Sequence, residues 1–182
     1  SSNGRKLKLE RRMGLVAEVF NEENLQALKG HMAIGHVRYS TAGGTHLSNA
    51  QPFTVHSGRG SLSVAHNGNL TNAISLREDL ERTGAIFQST GDTEVLVHLI
   101  ARAGHELVDS ICQALYQARG SYSILFLTEE YLVAARDPFG IRPLCLGRLG
   151  DAWIISSESV GFDLMGAEFE RAASLTRNER ER

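Results

Sequence analysis

The chain has 182 residues, of which 42% are hydrophobic and 18 are glycine; this suits one soluble domain with a sizeable core and excludes wholesale disorder or a disulfide-stapled mini-protein. Its 19 Lys and Arg against 21 Asp and Glu leave a formal charge of −2, so no net positive field is available to hold a polyanion and nucleic acid is not an expected partner. No apolar run approaches the roughly 18 residues of a membrane span, and Ser1-Ser2-Asn3-Gly4-Arg5-Lys6 is not followed by the apolar stretch of a signal peptide, so a soluble, cytoplasmic protein without a membrane partner is expected. The two cysteines, Cys112 and Cys145, are far apart in apolar contexts and read as reduced core residues.

Along the chain, residues 1–12 carry Arg5, Lys6, Lys8, Arg11 and Arg12 but only two leucines, which predicts a solvated loop or cut end with nothing to order it against a core. Asn21 to Gly30 has a capping residue, acids in the first turn, a Lys in the last and Gly after it, the pattern of a short helix. The Val- and Ile-containing runs 31–38 and 61–65 read as strands. Residues 70–83 form an expected helix with Leu70, Ile74, Leu76 and Leu80 mostly on one face, capped by Thr71 or Asn72 and stopped by Gly84. Two more helices follow over 92–103 and 106–119, the second with Val108, Ile111, Cys112 and Leu115 as its apolar face. The period then changes, and 121–128, 131–136, 144–148 and 152–156 read as four strands of one antiparallel meander. Residues 159–165 suit one more helical turn, and the charged stretch 168–182 is expected to fray. Strands, then helices, then strands make an α+β fold, expected as two antiparallel sheets covered by helices.

Five polar clusters fall at expected strand ends and helix starts: 36–44, 51–53, 66–69, 91–94 and 136–144. Each has an ordinary meaning, since Arg38 could serve a surface ion pair, Asn67-Gly68 a turn, and Asp92 a helix cap. Together they are complementary. An Arg fork suits a carboxylate, an Asp suits an ammonium, and an amide side chain followed by a Gly N–H can stabilise an oxyanion, the set an amino acid with a reactive side-chain carbonyl requires. No metal site is expected, because His31 and His36 would face opposite sides of a strand and no Cys or carboxylate has ligand spacing to His46 or His56. Gly43-Gly44 and Gly58-Arg59-Gly60 lack the Lys-Ser/Thr of a phosphate loop.

The runs Gly35-His36-Val37-Arg38-Tyr39-Ser40-Thr41, Ala65-His66-Asn67-Gly68-Asn69-Leu70 and Arg136-Asp137-Pro138-Phe139-Gly140-Ile141-Arg142-Pro143-Leu144, with the other clusters in order, strongly resemble the class II glutamine amidotransferase domain of the amidophosphoribosyltransferases. The resemblance implies an N-terminal-nucleophile sandwich of four layers, two antiparallel sheets between helical layers. It assigns Arg38 to the α-carboxylate of glutamine, Asp92 to its α-ammonium, and Asn67 with the backbone of Gly68 to the oxyanion hole. It implies an enzyme that hydrolyses glutamine and transfers the ammonia to phosphoribosyl pyrophosphate, giving 5-phosphoribosylamine in the first committed step of purine synthesis.

One departure matters. The family's nucleophile is an amino-terminal Cys, whereas this chain opens Ser1-Ser2-Asn3, and residues 1–12 resemble a loop well downstream of that Cys rather than a serine replacement for it. The expectation is therefore an internal fragment: residues 1–12 a loop or cut end, 13–167 the domain without its first strand, and 168–182 a tail leading to a missing phosphoribosyltransferase domain. As given it is expected to be inactive, to contact phosphoribosyl pyrophosphate only through the missing domain, and to hold no cofactor. The parent's Mg²⁺, the 4Fe-4S cluster of some members and its homo-oligomeric assembly belong largely outside the chain. The alternatives are another class II amidotransferase, of the glucosamine-6-phosphate synthase type, and a glutamine-binding domain that has lost its nucleophile.

Overall fold

The computed structural model describes residues 1–38, 46–58 and 60–172. Residues 1–38 carry two short helices, α1 (Val16–Val19) and α2 (Glu22–Ala27). In α2, Asn21 and Asn24 form a reciprocal capping box, each side chain accepting the other's backbone N–H. After a 3₁₀ turn at Leu47–Asn49 come β1 (Phe53–Ser57) and β2 (Gly60–Leu70), then helices α3 (Ala73–Arg82), α4 (Thr93–Ala103) and α5 (Leu107–Gln117). Strands β3 (Gly120–Leu127) and β4 (Leu132–Arg136) complete a sheet of order β1-β2-β3-β4, all antiparallel.

The core lies between this sheet and the helices. Val95, Leu96, Val97, Leu99 and Ile100 of α4 are all buried, so α4 is enclosed around most of its circumference. It packs against Val64, Leu70, Tyr122, Ile124 and Phe126 of the sheet, with Leu80 of α3 and Ile111 and Ala114 of α5 in the same cluster. A second, smaller sheet follows, β6-β5-β7, from β5 (Cys145–Leu149), β6 (Ala152–Ser156) and β7 (Glu168–Ala172), with α6 (Val160–Met165) between the last two. Phe162 of α6 is buried against Gly147, where a Cβ would sit 3.2 Å from its ring and 2.7 Å from the Glu168 carbonyl oxygen. The α+β class with two antiparallel sheets is therefore as expected, and among the described residues no helix is long and apolar enough to cross a membrane.

Several expectations need correction. The four late strands do not form one meander: β3 and β4 complete the first sheet, while β5 and β6 open the second. The Asp137–Pro143 segment, with a proline near each end, breaks the ladder between them. Residues 31–38 form no strand, because only Met32 finds a pairing partner, in an isolated bridge to Ser2. The opening residues are not loose either: Ser2 is 0% exposed, bridges Leu7 and Met32, and donates from Oγ to the Glu129 carbonyl at 2.5 Å. Hydrogen bonds rather than apolar burial order this segment. Glu168–Ala172 is not frayed tail but β7, paired to β5; the rest of the tail, from 173, lies outside the described residues. Cys145 is buried, but Cys112 is exposed on α5. Ile74 and Val108 also face solvent, so the apolar stripes of α3 and α5 are narrower than the sequence suggests.

Where the chain passes between the sheets, one carboxylate organises the crossing. Asp137, buried, accepts backbone N–H bonds from Phe139 at 3.0 Å, Ile141 at 3.1 Å, Arg142 at 3.1 Å and Tyr122 of β3 at 3.3 Å. The Arg136 guanidinium grips the same loop, donating to the carbonyls of Gly140 at 2.6 Å and Arg142 at 2.5 Å. Burial alone would raise the Asp137 pKa, but the N–H donors of Ile141, Arg142, Tyr122 and Phe139 outweigh it and hold the group below the ordinary carboxylate value. A carboxylate with a depressed folded pKa stabilises the fold fully above its unfolded value, about pH 4, and that stabilisation is lost as pH falls through the lower folded value. Asp137→Asn is expected to cost about 2–4 kcal/mol in urea denaturation at pH 7 and to flatten the loss of stability below about pH 4; an unchanged midpoint and acid slope would show that the nest is not load-sharing.

Candidate active site

Strand β2 outruns its neighbour β1. Pairing with β1 ends at Phe53 opposite Val64, whereas pairing with β3 continues to Leu70 opposite Gly120. Among the described residues, 66–70 therefore have a strand on one edge only. Backbone N–H groups alternate between the two edges of a strand, and the Thr71 N–H, bonded to the Arg119 carbonyl at 2.8 Å, shows that odd positions face β3. Even positions face the open edge. There the His66 N–H donates to Gln51 Oε1 at 2.6 Å and the Leu70 N–H to Asp92 Oδ2 at 2.9 Å. Between them the same alternation directs the Gly68 N–H to the open edge.

The identity of residue 68 follows from packing. Gly68 has φ +152°, and a Cβ there would lie 2.1 Å from the Ser121 carbonyl oxygen and 2.7 Å from Tyr122 Cα, distances no side chain can adopt. Asn67-Gly68 is thus not a turn, as its composition allows, but the middle of a strand. Asn67 is opposite Ser123, which is opposite Arg136. Ser123 Oγ donates to the carbonyls of Arg142 and Pro143, at 3.3 and 2.9 Å, so the Asp137-organised loop is seated beside the Asn67 face of the sheet.

Asp92 stands at the N-cap position of α4, yet its side chain makes no capping bond. It turns to β2 instead, with Oδ2 on Leu70 N–H and Oδ1 3.5 Å from His66 Nδ1. Burial opposes its ionisation, but His66, by hydrogen bond and charge, and the Leu70 N–H prevail and hold its pKa below the ordinary value. The loop leading into Asp92 is fixed from two sides. Buried Glu94 accepts from the backbone N–H of Gln88 at 2.8 Å and of Ser89 at 2.7 Å and from Ser89 Oγ at 2.6 Å, and Asn49 Oδ1 accepts the Thr90 N–H at 3.0 Å.

His36 and Arg38 are half-buried. Burial, then the charges of His66 and of Arg38, lower the His36 pKa, which puts His66 and Arg38 each within electrostatic reach of His36. The structure thus brings Asn67, Gly68 and Asp92 to one strand edge, with Arg38 linked to it through the charges felt by His36, while residues 39–45 of the first cluster lie outside the described residues. Gln51, His66, Glu94 and Asn49 carry no role in the sequence pattern; the available signal was a His directly after the apolar Val64-Ala65 of a strand. Ser1 is remote. Its neighbour Ser2 bonds to Glu129, which accepts the Ser61 N–H, about 20 Å along β2 from Asn67 at roughly 3.3 Å per residue. Cys145 is paired within the second sheet and Cys112 is exposed on α5. Among the described residues no three His, Cys, Asp or Glu side chains are grouped to hold a metal.

The family profile described as "Glutamine amidotransferase domain" matches residues 36–163. An amidophosphoribosyltransferase of Bacillus subtilis is 47% identical over 173 residues, 94% of this chain and 36% of the relative. A chloroplastic amidophosphoribosyltransferase of Arabidopsis thaliana is 50% identical over 161 residues, 87% of this chain and 29% of its own length. The solved glutamine phosphoribosylpyrophosphate amidotransferase from B. subtilis, complexed with ADP and GMP, superposes with a TM-score of 0.89 at 45% identity, over 94% of this chain and 37% of that one. A structure of the allosteric regulatory enzyme of purine biosynthesis gives 0.91 at 47% identity, with the same coverage. The chain spans about a third of the length of these relatives.

If contact with β3 dictates residue 68, Gly68→Ala will lose about 2–4 kcal/mol in chemical denaturation, whereas Gly91→Ala, whose Cβ meets only Ser89 Oγ at 3.7 Å, will lose less than about 1 kcal/mol. Equal losses would contradict the close approach at Gly68.

Proposed function

The chain belongs to the glutamine amidotransferase domain family, and from that premise we propose that the open edge of β2 binds free glutamine and supports hydrolysis of its side-chain amide. Its fold is the N-terminal-nucleophile sandwich, shared with the solved enzymes at TM-scores of 0.89 and 0.91. The longer protein is, in this proposal, an amidophosphoribosyltransferase: ammonia released here passes to phosphoribosyl pyrophosphate on another domain, giving 5-phosphoribosylamine and pyrophosphate, while glutamate is released.

The observation that carries the reading is the Gly68 N–H aimed out of an uncovered strand edge, with the Asp92 carboxylate anchored one hydrogen-bonding position along it. In the proposed chemistry a thiolate adds to the amide carbon of glutamine, and the carbonyl oxygen becomes an oxyanion that accepts from Gly68 N–H and Asn67 Nδ2. The C–N bond then breaks as the nitrogen takes up the proton given up when the thiol ionised, ammonia leaves, and water hydrolyses the thioester to glutamate and the free thiol. Donors fixed before the reaction stabilise charge that develops only in the transition state. Arg38 presents a planar fork to the α-carboxylate, and Asp92, held ionised, accepts from the α-ammonium.

The thiol is supplied by neither Cys112 nor Cys145, given their positions. The 182 residues alone are therefore proposed to bind glutamine without turning it over; steady ammonia release, abolished by Ser1→Ala, would contradict this. The described residues fit neither a divalent cation nor an iron–sulfur cluster, since the two cysteines are on different elements and no acidic or histidine set converges, and no step is assigned to either group.

In the full-length protein, Asn67→Ala is expected to lower kcat for glutamine about 10²–10³-fold with little change in KM; a change confined to KM would make Asn67 a structural residue. Arg38→Ala is expected to weaken glutamine-dependent synthesis by tens to thousands of fold, as loss of one partner of a desolvated charge pair costs about 2–5 kcal/mol. Added ammonia bypasses this domain, so ammonia-dependent synthesis should survive. An equal fall in both activities would show that Arg38 holds the fold rather than the substrate.

A further inference from the structure

We propose that His66 is a positioning residue which diverts the Asp92 carboxylate from capping α4 and holds it in place for the ammonium of the bound amino acid. The inference rests on the glutamine reading of the site. It begins from a misfit: the His66 side chain is 1% exposed, and on the helix-facing side of β2 it occupies a place where Val64 and Leu70 are apolar. Its Nε2 is buried with no hydrogen-bond partner among the described residues. Leaving a buried nitrogen unpaired costs stability that an aliphatic side chain would not cost. Packing therefore does not account for a histidine here.

What a histidine supplies is at the other nitrogen. Nδ1 is 3.5 Å from Asp92 Oδ1 and 3.4 Å from Thr93 Oγ1. An ionised carboxylate can only accept, so the contact with Asp92 requires a proton on Nδ1. An Asp at an N-cap position would ordinarily fold its carboxylate onto the free N–H groups of the first turn. Asp92 does not, although it precedes Thr93 directly. It is held at both oxygens, Oδ2 by the Leu70 N–H and Oδ1 by His66. Two anchors fix the plane of the carboxylate and leave its remaining lone pairs for a ligand, whereas one anchor leaves it free to rotate back toward the helix. His66 also adjoins Asn67 in sequence, and its own N–H is tied to Gln51. The ammonium-binding carboxylate and the oxyanion donors are thereby set in one frame.

The test is a set of variants in the full-length protein, assayed with glutamine. His66→Gln keeps the volume but offers no donor at Nδ1, and is expected to raise KM at least about tenfold while kcat changes less than about threefold. His66→Asn, whose amide nitrogen takes the place of Nδ1, is expected to restore KM to within about threefold of the parent. In an Asp92→Ala background, His66→Gln should add less than about twofold, because the group it positions is gone. The proposal is overturned if His66→Gln multiplies KM as strongly without Asp92 as with it, if kcat falls while KM holds, or if Asn restores nothing. The glutamine reading fails separately, and takes this proposal with it, if Asp92→Ala alone leaves KM unchanged.

Discussion

The site depends on an inequality between two strands. Because β2 continues for several residues beyond the end of β1, its outward backbone donors from His66 to Leu70 are not consumed by a ladder. Buried N–H groups without acceptors are costly, so a fold that leaves a strand edge open must supply acceptors from elsewhere. Here Gln51 takes the first and Asp92 the third. A backbone donor between two that are already occupied is presented at a fixed point on a rigid element, which is what an anion developing on a substrate requires. The binding edge is thus a consequence of the sheet's shape, and the side chains around it are those that the shape leaves unsatisfied.

Carboxylates, two of them buried, recur as the means by which loops are fixed around this edge. Asp137 gathers the N–H groups of the crossing between the sheets, Glu94 gathers those of the segment entering α4, and Asp92 reaches from α4 to β2. Each replaces the hydrophobic contacts that a loop lacks with charge-assisted hydrogen bonds, which are stronger than neutral ones and directional. The consequence is that the irregular segments entering α4 and crossing between the sheets are tied to the strands they adjoin. Function can then sit at strand ends and helix starts without loss of precision.

Much of this was legible in the sequence where local pattern and tertiary context agree. The helices expected over 70–83, 92–103 and 106–119 were marked by apolar period, the first also by the Gly84 stop, and the polar clusters holding Arg38, Asn67, Gly68 and Asp92 stood out by their complementary chemistry. The failures have physical causes. Residues 31–38 have strand composition but no neighbouring strand, and composition does not reveal a missing partner. Phe53–Ser57 does alternate Phe53 and Val55 with Thr54 and His56, but over five residues with only two apolar ones the pattern is too short to stand out. The charged stretch 168–172 pairs by backbone with β5, which requires nothing of its side chains. Asp92 reads as a cap from its position and becomes something else only because His66 and Leu70, more than twenty residues earlier in the chain, reach it in space.

The central claim is that the Gly68 N–H at the open edge of β2 meets the side-chain carbonyl of free glutamine. Titrating L-glutamine into ¹⁵N-labelled protein and following backbone amide resonances addresses it directly. The account predicts saturable shifts of the Gly68 amide together with those of Asn67 and of residues flanking Asp92, and none with D-glutamine at the same concentrations. Binding of L-glutamine with the Gly68 resonance unmoved, or shifts confined to the second sheet, would contradict it.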